Sequence, residues 1–140
     1  MRRAMTVVWV LLALLILGMA FIRLAPSDPA RWHVAPKGDV DKDLTGGVVR
    51  VVQTGQLGLK KFNAIVQADG TTRVLAGSVD EGMVTYISRT KVMGFPDYTT
   101  AQQDGDTLRI YGRLRFGRSD MGVNRKRVDG WLRQLPTTEN

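Results

Sequence analysis

Residues 107–118 read TLRIYGRLRFGR. Leu108, Ile110, Leu114 and Phe116 take alternate positions with Gly112 among them, and Arg109, Tyr111, Arg113 and Arg115 take the others. Successive side chains of a strand point to opposite faces. The spacing therefore predicts a strand with one core-facing side and one side carrying three guanidinium groups and a phenol. The same alternation removes a decoy. Gly112 to Ser119 nearly spells the phosphate loop G-x-x-x-x-G-K-[ST], with Arg118 in the lysine position, but a strand cannot curl its amides around phosphates.

Working outward, Asp104-Gly105-Asp106 marks a turn from a strand at 98–103, and Gly94-Phe95-Pro96-Asp97 breaks that strand from the β-rich run Met83–Met93. Thr71–Val79 and Val48–Val52 supply further strands. Between them, Leu59, Phe62, Ile65 and Val66 recur at steps of three and four, which predicts a helix over 57–68 with one apolar face. A last helix is expected over 120–135. There Met121, Val128, Leu132 and Leu135 face the core, and Asp120, Asn124, Arg127 and Trp131 lie on the shoulder. The order β-α-β-β-β-β-α with tight turns implies an α+β domain, an antiparallel sheet with helices packed on one face.

Ahead of this domain, residues 4–22 (AMTVVWVLLALLILGMAFI) carry no charge. As a helix they would extend about 28 Å, close to the hydrocarbon thickness of a bilayer. Residues 1–24 are thus a transmembrane anchor, or alternatively a secretory signal cleaved near Ala20, where Gly18-Met19-Ala20 resembles a cleavage site. Arg2 and Arg3 favour an N-in orientation. Either reading exports the rest. Residues 25–45 hold three of the five prolines and read as an extended linker. Trp32 within it is expected to dock on the domain or at the bilayer interface. His33 is expected to be solvated or singly hydrogen-bonded. The domain proper spans 46–135, followed by a tail at 136–140.

The chain has 140 residues, a net charge of +7, one histidine and no cysteine. Disulfides, thiolate nucleophiles and cysteine zinc sites are excluded, and no metal or other cofactor is expected. Residues 109–133 contain eight basic and two acidic side chains, so the positive charge is concentrated there. Such a patch attracts anions, although nucleic acid fits poorly with export.

The segment GFPDY (94–98) followed by RFGRSDMGVNRKRV (115–128) resembles the signature of the domain-of-unknown-function 1499 family. The matching positions are Asp97, Arg115, Gly117, Ser119, Asp120, Gly122, Asn124, Arg125 and Arg127, within a resemblance covering roughly residues 46–135. Gly112 and Leu114 depart from the small hydroxyl residues usual before the arginine. The anchor, spacer and domain together are similar to alphaproteobacterial members. The family has no established activity to carry over; together with the apolar segment and the N-in bias, the expectation is a bacterial inner-membrane, single-pass protein with its domain in the periplasm.

Three functions follow as expectations. One is a binding module presenting Arg109, Tyr111, Arg113, Arg115, Asp120, Asn124 and Arg127 to an anionic lipid or a membrane-associated protein. The second is an enzyme, hydrolase-like or other, with Asp97 as its acid or base and Arg115, Asn124 and Arg127 holding an anionic substrate. The third is a small subunit of an inner-membrane complex. For Asp120, Asn124 and Arg127 a capping and ion-pair network is the alternative to a ligand site.

Overall fold

In a computed structural model, residues 1–136 are described; the expected tail, Pro136 apart, lies outside them. The elements are α1 (Arg2–Leu24), α2 (Pro29–Trp32), β1 (Lys42–Leu44), β2 (Gly47–Gln53), α3 (Gly58–Ala68), β3 (Thr72–Ser78), β4 (Met83–Arg89), β5 (Pro96–Asp104), β6 (Thr107–Leu114) and α4 (Val123–Leu132). Six strands form one sheet in the order β1-β2-β6-β5-β4-β3, antiparallel at every pairing. The α+β class and the antiparallel sheet with an N-terminal apolar helix agree with the sequence reading. Helix α1 is long and apolar enough to cross a membrane: its most apolar 18 residues have a mean hydropathy of 2.7, and none of its residues is buried.

The alternation in β6 is realised. Leu108, Ile110 and Gly112 face α3 and α4, where they close the core with Val48, Leu59, Phe62, Val66, Tyr86, Val128 and Trp131. Phe62 meets Tyr86 and Trp131 edge-on, at centroid distances of 6.3 and 5.9 Å, a favoured aromatic geometry.

Three local expectations differ from the structure. Helix α4 starts at Val123 rather than 120, because Met121 and Gly122 take left-handed backbone conformations (φ 50° and 77°). Met121 thus falls outside the helix and is 90% exposed, and the buried stripe becomes Asn124, Val128 and Trp131. Strand β5 begins at Pro96, which places Asp97 inside the sheet opposite Ser88 and Leu114 rather than in a break. Finally, 25–45 is no extended spacer: it holds α2 and β1, and much of it lies against the face of the sheet that the helices leave open.

Gly112 sets how closely α4 approaches β6. A Cβ there would stand 3.3 Å from Val128 Cγ2 and from Val48 Cγ1, and 3.4 Å from Asn124 Cβ. Gly112→Ala should therefore cost about 1–3 kcal/mol through overpacking, read as a lower denaturation midpoint with an unchanged circular dichroism spectrum. A midpoint at or above that of the wild type would contradict this packing.

Candidate functional site

The site begins with a strap. Asp28 caps α2 by accepting from the Ala30 amide at 2.9 Å, and Pro29 occupies the first helical turn, where its missing donor costs nothing. This single turn delivers Trp32 onto the sheet. Its indole stacks on Tyr98, with centroids 4.1 Å apart and planes 18° from parallel. The Ser27 hydroxyl meets the Tyr98 hydroxyl at 2.6 Å, and His33 Nδ1 meets Thr85 Oγ1 at 2.8 Å. Trp32 therefore docks on the domain, and His33 has a single side-chain partner.

Arg113 lies under the strap. Only 6% of it is exposed. Its guanidinium donates to the Trp32 carbonyl, to Thr100 Oγ1 at 2.9 Å and to the Tyr111 carbonyl at 3.1 Å. It also lies 4.8 Å from the Tyr111 ring centroid and 5.8 Å from that of Trp32. Among the described residues no carboxylate pairs with it. Burial pulls its pKa down to about 10, against the smaller upward pull of Tyr111 and Tyr98. A buried cation is ordinarily paired with an acid; this one has neutral acceptors and aromatic faces.

Beside Arg113 a cleft of about 480 Å³ opens between the strap and β6. It is lined by Arg31, Trp32, Tyr111, Arg113 and Arg118, together with Val34, Leu44, Gly46, Leu114 and Gly117. Three guanidinium groups and two aromatic rings border it, and no acidic side chain does. A second cleft of about 430 Å³ shares Val34, Leu44 and Tyr111 with the first and adds Lys37 and Lys42. Together they run along the strap. Arg31 and Arg118 are not among the site residues expected from the sequence, where Arg118 figures only in the phosphate-loop decoy. The available signal was Trp32 beside Arg31 in an otherwise polar linker, and Arg118 at the end of the strand.

The remaining arginines of the β6 face are occupied differently. Arg109 pairs with Asp104 and, at 3.0 Å, with Asp39 of the strap. Arg115 donates to the Tyr98 hydroxyl at 3.1 Å and to the Pro26 carbonyl at 3.0 Å. The row of arginines is thus no single open face: the strap crosses it and accepts a hydrogen bond from each of Arg109, Arg113 and Arg115.

Asp97, Asp120, Asn124 and Arg127 assemble on the other, helix-bearing side of the sheet. Asp120 accepts from the Gly122 amide (2.9 Å), the Asn124 amide (3.1 Å) and Asn124 Nδ2 (2.9 Å). Arg127 Nη1 bridges Asn124 Oδ1 at 3.0 Å and Asp97 Oδ2 at 3.2 Å. These four side chains are spent on one another and on the turn into α4, which is the capping arrangement. Arg115 lies on the strap side, so the sheet separates it from Asp97 and Asn124. Neither strap cleft is lined by Asp97.

Over residues 24–135 the chain matches the family described as Protein of unknown function (DUF1499). The match includes the strap as well as the sheet and helices, and so extends further toward the N-terminus than the resemblance seen in the sequence. None of the curated proteins matches the chain.

Asp97 supplies a test of the helix-side network. Its burial raises its pKa above the ordinary aspartate value, outweighing the opposing pull of Arg127 and reinforced by Asp120. A native carboxyl pKa above the unfolded one means the folded state holds the proton longer. Stability from this group therefore falls as pH rises from about 4 through its native pKa. Asp97→Asn should gain stability relative to wild type across that interval, followed by thermal melts from acid to neutral pH. A difference that grows in favour of the wild type would show that the Arg127 pairing dominates instead.

Proposed function

The chain belongs to the DUF1499 family, and from its own geometry we propose that it is a membrane-anchored binding module whose strap cleft takes an anionic group. Helix α1 is the anchor, and the N-terminal Arg2 and Arg3 favour placing the α+β domain on the periplasmic side of a bacterial inner membrane. The observation that carries the reading is Arg113, a buried guanidinium at the wall of a cleft bordered also by Arg31 and Arg118, none of the three paired with a carboxylate among the described residues.

The chemistry is recognition. Arg113 is held rigidly by Thr100 and by backbone carbonyls, so its orientation is set before a ligand arrives. Arg31 and Arg118 are exposed and close on the anion from the two rims. Guanidinium groups present planar pairs of donors that match a carboxylate or phosphate. Tyr111 and Trp32 give a flat apolar wall for whatever carries the anion. The pairing of Asp97, Asn124 and Arg127 with one another favours this binding role over catalysis.

The test uses the full-length chain in detergent or nanodiscs. Citrate or inorganic phosphate, compared with sodium chloride at equal ionic strength, should raise the melting temperature saturably. A ligand at a hundred times its Kd stabilises by about 2.7 kcal/mol. Arg31→Gln with Arg118→Gln, both at exposed positions, should remove that rise while leaving the melting temperature without anion nearly unchanged. Equal stabilisation of the wild type and the double variant would sink the cleft as the site.

A further inference from the structure

The cleft leaves a second group of cations unused, at the junction of α1 with the domain. The helix ends at Leu24, and the next residue, Ala25, is already buried in the domain, so little free chain separates the apolar helix from the sheet. Arg23 Nη2 donates to the Val92 carbonyl at 2.7 Å, and Arg89 Nη1 to the Gly94 carbonyl at 3.0 Å. Phe21 meets Phe116 edge-on at 6.3 Å. The loop between β4 and β5 is thereby fastened beside the end of the helix, and at its tip Val92 is 77% exposed, next to the exposed Lys91.

The charge at this junction is one-sided. Arg23, Arg73 and Arg115 all act on Arg89 as like charges, adding to the burial that lowers its pKa, and Tyr98 alone opposes them. None of these arginines, nor Lys91, pairs with a carboxylate among the described residues. Arg23 and Arg89 each spend part of their five donors on backbone carbonyls and keep the rest. An exposed aliphatic tip beside cations, at the point where an apolar helix leaves the hydrocarbon, matches the layering of a bilayer surface, with acyl chains below and phosphates above.

We propose that the loop 90–95 is a membrane seat: Val92 enters the boundary of the acyl chains, and Arg23, Arg89 and Lys91 hold the phosphates of anionic phospholipids. Arg115 and Arg73 add to the local positive field. The seat rests on the reading of α1 as an uncleaved anchor. It fixes the domain against the bilayer rather than letting it swing on a tether, and it sets the height of the strap cleft above the lipid. The opposite tip, the turn between β3 and β4, stands roughly 20 Å away along a seven-residue strand.

Because the chain has no cysteine, single cysteines at Leu14, Val92 and Asp80 can each carry an environment-sensitive fluorophore in the full-length protein. The labelled proteins are placed in vesicles of phosphatidylcholine, with or without phosphatidylglycerol, containing lipid with a spin label on the acyl chain. The Leu14 probe should be quenched in both membranes and the Asp80 probe in neither. The Val92 probe should be quenched with phosphatidylglycerol, less without it, and less at high salt. Arg23→Gln with Lys91→Gln should reduce that quenching. A quenched Leu14 probe with an unquenched Val92 probe would overturn the seat and leave the anchor standing. An unquenched Leu14 probe would overturn the anchor, and the seat with it. Equal Val92 quenching in both membranes would overturn the role of anionic lipid.

Discussion

A guanidinium group in the face of a β-sheet has to be solvated by something. At Arg113 water is largely replaced by a folded-back segment of the same chain: the Trp32 carbonyl accepts from it, Thr100 accepts beside it, and the Trp32 ring lies flat on Tyr98. Removing the strap would take the Trp32 carbonyl from Arg113 and leave it Thr100, the Tyr111 carbonyl and water, while uncovering the Tyr98 ring on which Trp32 stacks. The strap is therefore held by what it covers. Its fixed position creates the cleft, and it ties the end of α1 to the sheet through Ser27 and the Pro26 carbonyl.

The two faces of the sheet handle charge in opposite ways. On the helix side, Arg50 joins Asp43 and Asp129, and Arg127 joins Asp97; Arg125 also reaches Asp43. These pairs join α4 to the sheet and leave little for a ligand. On the strap side, Arg109 is the one arginine neutralised among the described residues, by Asp39 and Asp104, while Arg31, Arg113 and Arg118 face a cleft and Arg23, Arg89 and Arg115 gather at the end of the helix. The net positive charge of the chain is thus sorted by pairing rather than spread evenly. Unpaired arginines line the strap cleft and the end of α1, while Lys60, Lys61, Lys126 and Arg133 on or beside α3 and α4 also lack an ion pair among the described residues; attraction to an anionic partner adds over neighbouring cations.

The sheet was legible because its signals are local. The alternation at 107–118 placed Leu108 and Ile110 in the core, and the three- and four-residue steps at 59–66 placed α3. Gly105 and the paired aspartates marked the turn of the last hairpin. The start of α4 was less legible, because periodicity does not reveal that Met121 takes a left-handed conformation. That shift moved Trp131 from the shoulder into the core and left Met121 in solvent. The strap was legible only at Trp32, whose docking on the domain was one of two expectations. Proline spacing correctly denied it a long helix, but its docking depends on partners such as Tyr98, Thr85 and Arg113, more than fifty residues away in sequence. Alternation said that Arg109, Tyr111, Arg113 and Arg115 share a face. It carried no information on what would cover that face, and hence on which of the four would remain available.

Hydrogen exchange across residues 25–45 in the full-length protein tests the docked strap most directly. The amides of Trp32 and His33, bonded to the Asp28 and Pro29 carbonyls, and those of β1 should exchange slowly, and substituting Ala for Trp32 should speed exchange in both the strap and the neighbouring part of β6. Rapid exchange throughout 25–45 while β4, β5 and β6 stay protected would mean that the segment is a free tether, and neither a preformed cleft nor a fixed helix junction would survive that result.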